Sequence, residues 1–134
     1  MKMKAEDVLN AGLTLAAILN RRPKVPQQAN YRLARMYKAV KPEADIVDEQ
    51  RVAIVMELGQ EVLDKDGKPT GAWRVPERGE DGKETPAILQ YRERWKALGA
   101  TEIEIHAEPI SVTILGDEGL DAIEIANLGP LIVD

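Results

Sequence analysis

Leu33-Ala34-Arg35-Met36-Tyr37-Lys38-Ala39-Val40-Lys41-Pro42-Glu43 is the stretch whose reading decides the fold. Leu33, Met36, Tyr37 and Val40 recur at i, i+3, i+4 and i+7, the spacing that gathers side chains on one face of an α-helix. Arg32, Arg35 and Lys38 lie off that stripe. The spacing predicts a helix over 28–41. The helical pattern then resumes from Glu43 to Leu58, with Val47, Ile54 and Leu58 on one line and Val52, Val55 and Met56 on a second. Pro42 therefore either kinks one long helix or opens a second helix at its first turn, where its missing N–H costs nothing. We read one long kinked helix, stopped by Gly59.

Upstream, residues 5–19 read as a shorter helix. Leu9, Leu13 and Ala17 recur every four residues, and Leu15, Ile18 and Leu19 widen the face. Gly12 costs this helix about 1 kcal/mol relative to Ala, and leaves room for another backbone to come close. Asn20 to Pro26 is a loop, because Pro23 and Pro26 restrict their neighbours. Downstream, Gln60 to Leu63 and Thr70 to Val75 read as two strands around Asp64-Lys65-Asp66-Gly67-Lys68-Pro69, an Asp-Gly turn. Pro76 to Lys83 reads as a polar, mobile, Gly-rich loop. Thr85-Pro86 starts a helix, with Thr as N-cap and Pro in the first turn. Ile88, Tyr91, Trp95 and Leu98 form its inner stripe, and Gly99 ends it.

Glu102-Ile103-Glu104-Ile105-His106 alternates strictly, as a half-buried strand does, and Ile110, Val112 and Ile114 alternate likewise. Glu108-Pro109 bends the chain between them. Asp117-Glu118-Gly119 is a turn, Leu120 to Leu128 a short helix, and Gly129-Pro130 a break before Leu131-Ile132-Val133. The resulting expectation is an α+β fold: a helical hairpin or long kinked helix packed with a third helix, plus a β-hairpin and a small antiparallel sheet. The chain of 134 residues reads as a single domain, with the hairpin and loop over 60–84 either projecting or folded back.

Composition narrows the chemistry. With no Cys, disulfides, thiolate metal sites and Cys nucleophiles are ruled out. The apolar run of residues 11–19 is interrupted upstream by Glu6 and Asp7 and ends in Asn20-Arg21-Arg22-Pro23. It reads as an amphipathic helix of a cytosolic protein rather than a signal peptide. Nothing approaches the roughly 20 apolar residues of a membrane span. Formal charge is −5 but unevenly placed. Residues 1–41 hold nine Lys/Arg and two Asp/Glu, a local +7, whereas residues 99–134 hold no Lys/Arg and eight Asp/Glu, a local −8. Either the two ends pack together and neutralise each other, or the molecule has two electrical poles that favour head-to-tail contacts.

Candidate catalytic groups each have a plainer reading. His106 and Ser111 are the single His and the single Ser, but no nucleophile-elbow pattern accompanies them, and His106 shares its strand's polar face with Glu102 and Glu104. In Asp64-Lys65-Asp66-Gly67 the Gly is fourth, and the twelfth residue is Val75, so an EF-hand is excluded. The carboxylates of 102–124 read as a solvated acidic face. Arg21, Arg22, Lys24, Arg32, Arg35 and Lys38 invite phosphate, yet no nucleic-acid motif accompanies them and the chain is acidic. The pattern therefore argues for no catalytic, cofactor or metal site, against nucleic acid, and for protein partners, a second copy included. Trp73 and Arg74 on the proposed hairpin are hot-spot residue types. With Arg32, Arg35, Glu102 and Glu104 they are the residues expected to bind protein.

The order of these parts resembles small proteins of tailed bacteriophages. There a short helix precedes a long one with a basic first half and a Pro- or Glu-marked middle, here Tyr31-Arg32-Leu33-Ala34-Arg35 running into Val40-Lys41-Pro42-Glu43. An Asp-rich turn with Gly follows (Asp64 to Lys68), then a Glu/Ile-rich strand (Glu102 to Ile105), and a closing helix with a Leu-x-Pro-Leu-Ile-like tail (Leu128 to Ile132). The Trp73 to Thr85 segment departs from that pattern. The resemblance implies a phage protein of the virion or the host cytoplasm, and no activity. The expectation is a non-catalytic virion component or morphogenesis factor that binds other phage proteins or itself. The alternative is a host-takeover or anti-defence protein that sequesters a bacterial enzyme through its acidic C-terminal third.

Overall fold

Pro42 does not end the helix. In the computed structural model, which describes residues 1–21, 26–115 and 120–134, one helix runs from Gln27 to Leu58 with Pro42 inside it. Pro42 is exposed, and so is Lys38, whose carbonyl loses its helical donor to the proline ring, so water can take the donor's place. The elements in chain order are β1 (Lys2–Lys4), α1 (Ala5–Asn20), α2 (Gln27–Leu58), β2 (Gln60–Leu63), β3 (Pro69–Arg74), α3 (Pro86–Gly99), β4 (Glu102–Glu104), β5 (Ile110–Ser111), α4 (Ala122–Leu128) and β6 (Ile132–Val133). Single 3-10 turns cover Val112–Leu115 and Gly129–Leu131. The fold is α+β. The Asp117-Glu118-Gly119 turn and most of the loop before α2 lie outside the described residues.

The chain divides into two compact units, Met1–Val47 with Ala100–Asp134, and Asp48–Gly99. In the first, α1 packs on the N-terminal half of α2 through Val8, Ala11, Leu15 and Ile18 on one side and Ala29, Leu33, Met36, Val40 and Ala44 on the other. An ideal Cβ built on Gly12 would stand 2.9 Å from the Ala44 Cβ, so the glycine is what lets the two backbones come together. The buried face is not the expected one. Leu9 is only half-buried, Leu13 is 65% exposed and Ala17 is exposed. Helical spacing was right, but the face was rotated by about one residue toward Gly12.

The C-terminal segments close this core with Ile105, Ile110, Leu115, Leu128 and Leu131. β4 pairs antiparallel with β1, Met3 opposite Ile103, and Lys2 and Lys4 opposite Glu104 and Glu102. Two backbone bonds extend the ladder, Ala5 N–H to the Thr101 carbonyl at 2.8 Å and Ile105 N–H to the Met1 carbonyl at 2.7 Å. β5 pairs parallel with β6, and α4 lies in the crossover that a parallel pair requires. The expected strand over Ile110 to Ile114 is therefore cut short: it has only Ile132 and Val133 to pair with, and turns into 3-10 at Val112. α4 begins with a reciprocal capping box, the Asp121 carboxylate accepting from Glu124 N–H and the Glu124 carboxylate from Asp121 N–H.

In the second unit β2 and β3 form the expected hairpin. Asp64 organises its turn, its carboxylate accepting from the Asp66 and Lys68 N–H groups at 2.9 Å each, and Gly67 supplies a φ of 78°. Gly59 fixes the base of the hairpin: a Cβ there would stand 2.3 Å from the Arg74 carbonyl oxygen. The Pro76 to Lys83 segment is tightly bonded rather than irregular. Gly79 N–H reaches the Lys83 carbonyl at 2.9 Å and Arg78 bridges to Glu84. Thr85 caps α3, its hydroxyl accepting from Ile88 N–H at 3.1 Å.

Deleting a fully buried side chain removes its transfer free energy and leaves a cavity. Leu15→Ala should cost about 2–5 kcal/mol by urea unfolding, and Leu13→Ala within about 0.5 kcal/mol. Equal losses would contradict the orientation of α1.

Candidate functional site

The polar stripe of α2 in the first unit builds one wall of a groove. Gln28, Tyr31, Arg32 and Arg35 stand at i, i+3, i+4 and i+7, so the helix presents them together. The other wall is the segment after β4. Strand alternation drives Ile105 into the core and turns His106 outward, and Glu108-Pro109 carries the chain along the rim. Met36, Ile105 and Ile110, each no more than 2% exposed, close the bottom. The groove encloses about 790 Å³, within the usual 300–1,000 Å³ of ligand sites.

Charge in the groove is lopsided. Arg32, Arg35, His106, Gln28 and Tyr31 supply donors, and Glu108 is the single carboxylate of the lining. Elsewhere the described arginines have acceptors: Arg21 pairs with Glu124, Arg51 with Asp48, Arg92 with Glu84 and Arg94 with Glu57, and Arg78 bonds the Gly82 carbonyl. Among the described residues Arg32, Arg35 and Arg74 have no ion-pair or hydrogen-bond partner. The Ser111 hydroxyl shares a hydrogen bond with that of Thr113 at 2.8 Å. Among the described residues no three His, Asp or Glu gather as a metal site would need. No helix among them is long and apolar enough to cross a membrane.

Trp73 and Arg74 belong to the second unit and are not part of the groove lining. Trp73 lies opposite Glu61 and is 36% exposed; Arg74 lies opposite Gln60. Val52, Met56, Leu63 and Leu89 are exposed in the same unit. Its buried apolar side chains are Ile54 and Ile88, and neither is fully buried.

Glu102 and Glu104 are matched internally. They face Lys4 and Lys2 across the β1–β4 ladder. A hydrogen bond from the Met1 ammonium, and then its charge, hold the Glu104 carboxyl below its usual range. A second link joins the basic and acidic ends: one Arg21 nitrogen reaches both Glu124 oxygens, at 2.6 and 2.7 Å. Neutralisation between the ends, the first of the two readings of the charge asymmetry, thus has two ion pairs, beside the Lys-to-Glu register of the β1–β4 ladder. The signal for the groove was the stripe of Gln28, Tyr31, Arg32 and Arg35. Its opposite wall had no sequence signal, since only the β1–β4 pairing brings His106 and Glu108 to that helix.

The chain matches no protein-family model, no curated protein and no solved structure.

Glu124 serves α4 twice, as capping-box partner and as acceptor for Arg21, and the pair is only partly exposed. Glu124→Ala should cost about 1–3 kcal/mol in urea unfolding, and Glu102→Ala under about 0.5 kcal/mol. Raising NaCl from about 0.05 to 0.5 M should shrink the first loss, since salt screens the pair. A Glu124→Ala cost no larger than that of Glu102→Ala would remove Arg21–Glu124 from the account of the fold.

Proposed function

We propose that the chain is a non-catalytic phage protein that works by binding protein, as a virion component or morphogenesis factor. The observation that carries the binding reading is the distribution of apolar side chains in the second unit. Val52, Met56, Leu63, Trp73 and Leu89 are exposed over 52 residues whose buried large apolar side chains are Ile54 and Ile88, at 8% and 6% exposure. Scattered single apolar residues are normal on a monomer; five large ones against two buried are the surface of a unit that gains stability from being covered. Trp73 and the unpartnered Arg74 are the residue types that dominate protein interfaces. The phage setting is supported by the order of elements alone.

A host-takeover reading would use the acidic C-terminal third as a mimic of nucleic acid. It draws less support, because Glu102, Glu104 and Glu124 already face Lys4, Lys2 and Arg21.

Sedimentation velocity from about 1 to 100 µM should show reversible association, or the chain should be found in purified phage particles. The double variant Leu63→Ser, Trp73→Ser should weaken association by about 30-fold or more, as loss of a hot spot of about 2 kcal/mol does. Because both residues are already exposed, the unfolding midpoint should move little. A strict monomer that is absent from particles would refute the reading.

A further inference from the structure

We infer that the groove between α2 and the 105–110 segment is a docking site for a short carboxylate-rich peptide of a protein partner. The inference starts from an apparent cost. Arg32 and Arg35 stand at i and i+3 on an exposed helix face, where like charges repel and weaken a helix by a few tenths of a kcal/mol. Arg21, Arg51, Arg92 and Arg94 are paired with carboxylates and Arg78 bonds a backbone carbonyl, yet these two side chains have no acceptor. Folding gains nothing from the arrangement. An external anion would gain from it, since two guanidiniums side by side offer planar, paired donors that match carboxylates in bidentate geometry.

The surroundings select among anions. His106, Gln28 and Tyr31 add further donors that suit several acceptor groups spread along a backbone. The exposed Tyr31 ring and Pro109 offer apolar contact that a peptide side chain can use. Glu108 sits in the same lining and repels a dense row of phosphates, whereas a peptide can place an N–H or a basic side chain there. The chain's charge of −5 also works against drawing in a long polyanion. An Arg cluster that reads an acidic segment is an established mode of peptide recognition.

This site lies in the first unit and does not rest on the apolar surface of the second. The two readings therefore fail separately: the Leu63→Ser, Trp73→Ser variant should keep peptide binding, and an Arg32, Arg35 variant should keep any self-association.

The test is fluorescence anisotropy with a labelled hexapeptide of alternating Glu and Leu, its Gln-for-Glu counterpart, a labelled oligothymidylate of equal charge, and inorganic phosphate as competitor. The acidic peptide should bind, the Gln peptide should bind at least about tenfold more weakly, and the oligothymidylate should bind more weakly than the acidic peptide. Arg32→Gln and Arg35→Gln should each cost about tenfold. The double Lys variant should recover only part of the loss, because it keeps charge without the bidentate fork. Circular dichroism should be unchanged in each variant. No binding of the acidic peptide at about 1 mM would overturn the proposal. So would binding unaffected by the double Gln variant, tighter binding of the oligothymidylate, or displacement by phosphate at the peptide's own concentration.

Discussion

Gly12 meets Ala44 where no side chain can stand between them, and the first unit is organised around that approach. With the backbones so close, α1 lays Val8, Ala11, Leu15 and Ile18 into the α2 face made by Ala29, Leu33, Met36 and Val40. Each fully buried Leu, Ile or Val contributes about 1.5–3 kcal/mol relative to exposure, which outweighs the roughly 1 kcal/mol that a mid-helix glycine costs. The same orientation of α1 leads back to β1, whose Met3 is buried while Lys2 and Lys4 face outward to meet the glutamates of β4. The pairing of β1 with β4 in turn sets Ile105 inward and His106 outward, which gives the groove its second wall. The site is thus a consequence of helix packing, transmitted through one short strand pair.

The parts of this architecture that local chemistry decides were legible from residues alone. Thr85-Pro86 caps and opens a helix through its own hydroxyl and ring, Asp64 to Gly67 closes a hairpin with its own carboxylate and a positive φ, and the α2 stripe at Leu33, Met36, Tyr37 and Val40 has one period. What failed was decided by a distant partner. α1 is apolar on two sides, and only Ala44 selects the side that contains Gly12. Ile110, Val112 and Ile114 alternate as a strand does, but Ile132 and Val133 offer two residues of pairing and no more. Lys2-Met3-Lys4 is too short to read as a strand until it is set against Glu102-Ile103-Glu104, its mirror in charge. Among the candidate binding residues, Arg32 and Arg35 fall in a groove, Trp73 is partly exposed on its hairpin, and Glu102 and Glu104 face their own lysines.

Charge sorts these residues more sharply than hydropathy does. A basic first third and an acidic last third would repel their own kind and attract across a screened distance of about 8–10 Å. Folding brings the two ends together at Arg21–Glu124 and Met1–Glu104, and sets Lys2 and Lys4 opposite Glu104 and Glu102 across β1–β4, so part of that asymmetry is neutralised inside the first unit. Exposed ion pairs of this sort are individually worth about 0–1 kcal/mol. Four of the described arginines are engaged in such pairs. Arg32 and Arg35 are left over although Glu108 lines the same groove, because that carboxylate accepts from neither.

A guanidinium without an acceptor on a solvated helix is not costly by itself, since water satisfies its donors. The cost arises from placing two of them three residues apart near the N-terminal end of α2, whose first turn carries no acidic residue to balance them. Both lie beyond the first turn, where the helix dipole has faded, so the positive potential there is that of the two guanidiniums themselves. Lys38 and Lys41 follow on the same helix, but Lys41 is paired with Asp45 at 2.7 Å, and the field is relieved there. The unrelieved part of the helix is the part that faces His106 and the 105–110 segment, where the fold has also left a concave surface. Concavity and uncompensated charge of one sign coincide over a few residues, and a donor-rich, partly apolar recess of that kind is complementary to a carboxylate-bearing chain before any partner is named.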